Sequence, residues 1–136
     1  AGRANRILCI DDNPSNLKLM AQILGRVEHL QLLTAQAPQL GLDLALTHRP
    51  ALILLDINMP GMDGYEVLEV LKGDPLTRTT PVIAITANAL TRDIERGKAA
   101  GFFDYITKPI DISRLLSVVE RALSSGTDQT QDTQAP

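Results

Sequence analysis

The chain has 136 residues, of which 44% are apolar and 21% charged, a balance that suits one globular domain with a real core rather than a disordered chain. Thirteen basic side chains against sixteen acidic ones leave a formal net charge of -3, so no basic excess drives binding to nucleic acid or to an acidic membrane surface. A single cysteine, Cys9, cannot form an internal disulfide, and no apolar run approaches the roughly 20 residues that span a bilayer. With no signal-like segment at the start, a cytoplasmic protein that binds neither membrane nor nucleic acid is expected.

Arg6-Ile7-Leu8-Cys9-Ile10 reads as a first strand ending at Asp11 and Asp12. Pro14 suits the first position of a helix capped by Asn13, with Leu17, Met20, Leu24 and Val27 as its apolar stripe. Leu30 to Thr34 forms a second strand, and Pro38 opens a second helix reaching about Thr47. Ala51 to Leu55 is apolar without alternation and ends at Asp56, the habit of a central parallel strand covered on both faces. The turn-rich Asn58-Met59-Pro60-Gly61-Met62-Asp63-Gly64 leads into a third helix carrying Val67, Leu68 and Leu71. Pro81 to Thr86 is the fourth strand, its proline at the start where a missing N–H is tolerated. Leu90 and Ile94 anchor a fourth helix ending near Gly101, and Phe103 to Ile106 is the fifth strand. Asp111 or Ser113 caps the last helix, which packs through Ile112, Leu115, Leu116, Val119 and Leu123. Five strands alternating with five helices predict an α/β fold of the doubly wound class, a five-stranded parallel sheet with helices on both faces. From Ser124 onward the chain is polar and aperiodic, which reads as a tail.

Ligands of open parallel sheets bind at the carboxyl ends of the strands. Here those ends deliver Asp11, Asp12, Asp56, Thr86 and, just past strand five, Lys108 to one rim. Two carboxylates about 5 Å apart repel by roughly 3 kcal/mol at an effective dielectric near 20, so three need cationic company beyond Lys108. Oxygen ligands without histidine or thiol favour Mg2+, with Mn2+ able to substitute, over zinc. A carboxylate beside such a cation and an ammonium group is equipped to attack a phosphoryl group.

Asp11-Asp12, Asp56 within Leu54-Leu55-Asp56-Ile57-Asn58-Met59-Pro60-Gly61-Met62-Asp63-Gly64, Thr86-Ala87 and Lys108-Pro109 together resemble the receiver domain of two-component response regulators. The likeness to this CheY-like family covers about residues 5 to 124, with 125 to 136 left as a polar tail or linker. It implies the flavodoxin-like (βα)5 topology with strand order 2-1-3-4-5. It also implies that Asp56 accepts a phosphoryl group from a histidine kinase or phosphotransfer protein. Asp12 would bind Mg2+ directly, Asp11 through a water, and the backbone carbonyl of Asn58 would complete the protein ligands alongside Asp56. Lys108 would pair with Asp56 and then with the phosphoryl oxygens. Thr86 would move to the phosphoryl group and Tyr105 would turn inward behind it, signalling to an output partner. The family's Lys-Pro bond is usually cis, which points to Lys108-Pro109. Ala51 and Pro38 depart from the family's usual aspartate and glycine without touching the phosphorylation residues.

Each residue also has a plainer reading. An Asp-Asp pair by itself serves as a helix cap, Asp63-Gly64 as a turn, Thr86 as a strand end, Tyr105 as a half-buried aromatic and Cys9 as a small buried hydrophobe. His29 and His48 carry no chemistry. An aspartyl phosphatase would want an acid two residues past its nucleophile, where this chain has Asn58, and a flavin protein would want a phosphate-cradling loop where Asp11-Asp12-Asn13-Pro14 repels phosphate. A signalling phosphoacceptor that catalyses only its own phosphorylation and dephosphorylation is therefore preferred to an enzyme with a diffusible substrate. The Asp11-to-Asn16 and Thr86-to-Ala89 stretches look most like receivers of hybrid sensor kinases, and the missing start methionine favours a piece of a longer protein.

The fourth helix has two large apolar anchors and an internal Gly97, against five anchors on the last helix. It is the less firmly held of the two and is expected to shift on phosphorylation. Native-state amide exchange checks this: residues 90–100 should exchange faster than 112–123, and equal protection would overturn the expectation.

Overall fold

The computed structural model describes residues 5–57, 59, 64–87, 95 and 98–134, with side chains to Ser124. Its elements run β1 (Asn5–Ile10), α1 (Pro14–Leu24), β2 (Leu30–Ala35), α2 (Pro38–His48), β3 (Leu52–Asp56), α3 (Gly64–Gly73), β4 (Val82–Thr86), β5 (Asp104–Thr107) and α4 (Ile112–Gln134). All strand pairs are parallel, in the order β2-β1-β3-β4-β5. This is the doubly wound sheet that the alternation of apolar runs predicts, in the flavodoxin-like strand order that the resemblance implies.

Successive strand residues point to opposite faces, so strand parity decides which helices each side chain meets. Ile7 and Cys9 of β1, Leu52 and Leu54 of β3, and Ile83 and Ile85 of β4 pack with Leu17 and Met20 of α1 and Leu115 and Val119 of α4. Leu8, Ile10, Ile53, Leu55, Val82 and Ala84 turn the other way, to Leu42 of α2 and Val67, Leu68 and Leu71 of α3. Every residue of β3 and β4 is buried, which explains their unbroken apolar sequence. On α2, Gly41 lies so close to β1 that a Cβ there would meet the Ile10 side chain at 2.5 Å.

Asn13 caps α1, its Oδ1 accepting from the Ser15 N–H at 2.9 Å, with Pro14 in the first turn as expected. That helix stops at Leu24, so Val27 lies beyond it and Ile23 takes the place expected of it in the stripe. At the last helix Asp111 is the cap, accepting from the Arg114 N–H at 3.1 Å. Ile112, expected in its core stripe, is 53% exposed, while Val118 and Ala122 face the sheet. The buried apolar stripe of α4 therefore begins at Leu115, one turn later than expected. Backbone helix continues to Gln134, past Ser124 where a polar tail was expected to begin. Extending a formed helix carries no new nucleation cost, and the next proline is Pro136. The fourth helix expected over 90–100 falls largely outside the described residues; those described there, Glu95 and Lys98 to Ala100, are helical. Among the described residues, no helix is long and apolar enough to cross a membrane.

The sheet's last strand is tied to α4 by Asp104. Its carboxylate meets Arg114 at 3.2 Å and also Arg121, and it accepts the Tyr105 N–H at 2.7 Å. Arg121 in turn lies over the Phe103 ring at 5.8 Å. Burial alone would raise the Asp104 pKa, but the Tyr105 N–H and the two guanidinium groups more than offset it and hold the carboxyl below its ordinary value. A lowered native pKa adds stability above the unfolded value of about 4, and that stability is lost as pH falls through the native one. Asp104→Asn should therefore destabilise the protein by roughly 1–3 kcal/mol at pH 7 in urea unfolding. The gap to wild type should close below about pH 4; a gap that persists there would sink the assignment.

Candidate functional site

Four strand ends build the rim. Asp11 follows β1 directly, its N–H continuing the ladder to Ala35 O at 3.0 Å. Asp56 is the last residue of β3, and the next N–H, of Ile57, reaches Ile85 O at 3.1 Å. Thr86 ends β4 opposite Thr107 of β5, and the Lys108 N–H donates to Thr86 O at 2.8 Å. Sheet register thus carries the lysine to the same edge as the acids.

One carboxylate oxygen each from Asp11, Asp12 and Asp56 lies within 4.8 Å of the others, with Asp11 and Asp56 buried and Asp12 exposed. Lys108 Nζ sits 3.3 Å from Asp56 Oδ2 and 4.0 Å from Asp11 Oδ2. Asp11 is oriented by the Asn13 N–H on Oδ1 at 2.9 Å and the Asn16 amide on Oδ2 at 3.0 Å. Those two donors were not singled out in the sequence; their only signal is that both lie within five residues of Asp11. Burial pushes the Asp11 carboxyl above its ordinary pKa and the Asp56 charge adds to it, against the Asn13 and Asn16 donors. Burial likewise raises the Cys9 thiol far above its usual range, helped by Asp11 and Asp56, so it remains an inert core group.

Thr86 is buried, 1% exposed, and Lys108-Pro109 is cis. Tyr105 is 4% exposed, and its hydroxyl lies 2.8 Å from that of Tyr65 on α3. Tyr65, forty residues away in sequence, carries no mark that would single it out. The carbonyl expected from Asn58, and Gly61 to Asp63, lie outside the described residues. Met59 in that loop is buried, and Gly64 closes the loop, its N–H 3.3 Å from Ile57 O. A Cβ on Gly64 would come within 2.5 Å of Ile57 Cα, so only glycine allows this closure.

The chain matches the response regulator receiver domain over residues 7–120. It belongs to the response regulator receiver family. The receiver is 38% identical over 125 residues to the signal transduction histidine-protein kinase BarA of Shigella flexneri, a match covering 87% of this chain and 13% of BarA. It is 38% identical over 117 residues to the polar-differentiation response regulator DivK of Brucella anthropi, covering 86% of this chain and 94% of DivK. Among solved structures, the receiver domain of the sensor histidine kinase PA1611 of Pseudomonas aeruginosa, with magnesium coordinated in its active-site cleft, superposes with a TM-score of 0.80 at 29% identity. That match covers 89% of this chain and 98% of the PA1611 domain. As a receiver domain, the chain is a module of two-component signal transduction.

The three carboxylates are consistent with a Mg2+ site, since all-oxygen donors and a buried excess of negative charge are what a hard divalent cation answers. Above its unfolded pKa of about 4, the raised Asp11 costs the metal-free fold stability, and the cost fades as pH falls and the carboxyl takes its proton. Mg2+ should therefore raise the thermal midpoint at pH 7.5, and the increment should shrink as pH falls. An increment that is absent, or independent of pH, would rule the site out.

Proposed function

We propose that this receiver takes a phosphoryl group on Asp56, in a Mg2+-dependent reaction, from the histidine of a histidine kinase or phosphotransfer protein. The observation that carries this reading is the Lys108 ammonium 3.3 Å from Asp56 Oδ2, beside two further carboxylates at the strand ends. A carboxylate oxygen of Asp56 attacks phosphorus as the P–N bond to the donor histidine breaks, and the imidazole keeps that electron pair and gains a proton. Lys108, already within reach, turns from the carboxylate to the new phosphoryl oxygens and offsets their charge. Asp12, Asp56 and the Asn58 carbonyl would hold the cation, with Asp11, held by Asn13 and Asn16, acting mainly through a water. When bound, Mg2+ supplies charge neutralisation at the phosphoryl oxygens and fixes their direction.

The Thr86 hydroxyl, on the neighbouring strand end, then hydrogen-bonds the phosphoryl group, and Tyr105 conveys the change to an output partner. Water later hydrolyses the acyl phosphate, returning the Asp56 carboxylate and inorganic phosphate, so the domain acts on itself and turns over no diffusible substrate. Residues 5–124 would constitute the receiver and 125–136 a polar tail or linker, of which residues 125–134 continue α4. Its charge and composition suit a cytoplasmic module that works by protein contact, without touching nucleic acid or membrane. The short span of the BarA match supports a receiver within a longer kinase.

Incubation with Mg2+ and acetyl phosphate, followed by intact mass, tests the reading. Wild type should gain one phosphoryl group and Asp56→Asn none; equal labelling of the two would refute Asp56 as the acceptor.

A further inference from the structure

The backbone at Tyr105 is pinned from both sides. Its N–H donates to Asp104 Oδ1 at 2.7 Å, and its carbonyl accepts from Arg114 at 3.1 Å. β5 also holds it in register with Ala84. What freedom remains belongs to the side chain. An open cavity of about 290 Å³ adjoins it, with Lys98, Thr107, Pro109 and Arg114 also in its wall, so an outward rotamer has room. The ring nonetheless lies inside, edge-to-face with Phe102 at 5.8 Å between centroids, while Phe102 meets Tyr65 in the same way at 5.6 Å. The two phenol oxygens, 2.8 Å apart, close the triangle.

Tyr65 also stands at a telling place in the chain. It follows Gly64, whose N–H and close backbone approach to Ile57 close the loop that leaves Asp56. A hydroxyl anchored next to that closure is therefore joined to β5.

We propose that Tyr65 is a positioning residue, a latch on α3 that holds Tyr105 in its buried rotamer before any phosphoryl group arrives and so predisposes the domain to phosphorylation. The proposal rests on the reading of Tyr105 as the group that reports phosphorylation. A contact that favours the buried rotamer must, by thermodynamic reciprocity, tighten binding of whatever requires that rotamer. Tyr65→Phe removes one oxygen and keeps the ring on Phe102, so the aromatic packing survives while the hydroxyl pair is lost.

The chain has two tyrosines and no tryptophan, which makes its tyrosines directly observable. The full chain labelled with 3-fluorotyrosine gives two 19F resonances, and Tyr65→Phe and Tyr105→Phe assign them. In Tyr65→Phe without phosphodonor, the Tyr105 resonance should move toward the solvent-exposed position, and saturating Mg2+ and beryllofluoride should return it. The half-saturating beryllofluoride concentration should rise roughly two- to tenfold, the equivalent of one neutral hydrogen bond. Reciprocally, the Tyr65 resonance should move in Tyr105→Phe. A Tyr105 resonance unmoved by Tyr65→Phe, or an unchanged half-saturation, would overturn the latch. Failure of the signalling reading shows separately, as a wild type that gains no phosphoryl group from acetyl phosphate while its Tyr105 resonance still responds to Tyr65→Phe.

Discussion

Crowded negative charge at the end of β1 and β3 is the constraint that organises this molecule. Two buried aspartates and an exposed one share a space less than 5 Å across, and the one ammonium group seen among them belongs to Lys108. Burial first, and the neighbouring Asp56 charge after it, raise the Asp11 carboxyl, a standing cost of placing acids there. The same clustering of oxygen donors is consistent with a site for a hard divalent cation. The elements around the rim are built to keep the acids where they repel: β-ladder hydrogen bonds run up to Asp11 and Ile57, and Asn13 and Asn16 grip the Asp11 carboxylate.

β5 links this charged edge to the rest of the surface. Its carboxyl end leads into Lys108, pinned to Thr86 through the backbone, while Asp104 at its start is clasped by Arg114 and Arg121 of the last helix. Tyr105 lies between the two. Its main chain is fixed by Asp104 and Arg114, and its ring rests against Phe102 and Tyr65.

Membership in the receiver family and the geometry of the rim support one another without being the same statement. The family match spans residues 7–120 and establishes what kind of module this is. The distances between Lys108, Asp56 and Asp11 are properties of this chain, and they are what makes the chemistry of its family physically available to it.

Much was legible before any coordinates. Apolar runs without alternation marked β3 and β4 as central strands, Asn13-Pro14 marked the start of α1, and the acids and Lys108 could be read as sharing an edge because parallel strands place their ends together. Reading the local pattern failed where a neighbour decided the outcome. Val27 continues a helical period but α1 has already ended, and Ile112 is apolar yet exposed to solvent rather than packed on the sheet. Sequence alone determined the order of elements and the set of reactive groups, since periodicity and residue chemistry are local properties. Tertiary structure alone decided that Asp104 is held by two arginines and that the hydroxyls of Tyr65 and Tyr105 meet. Those contacts join residues ten to forty positions apart, and no local preference encodes which side chains a packed fold brings within 3 Å or so of each other.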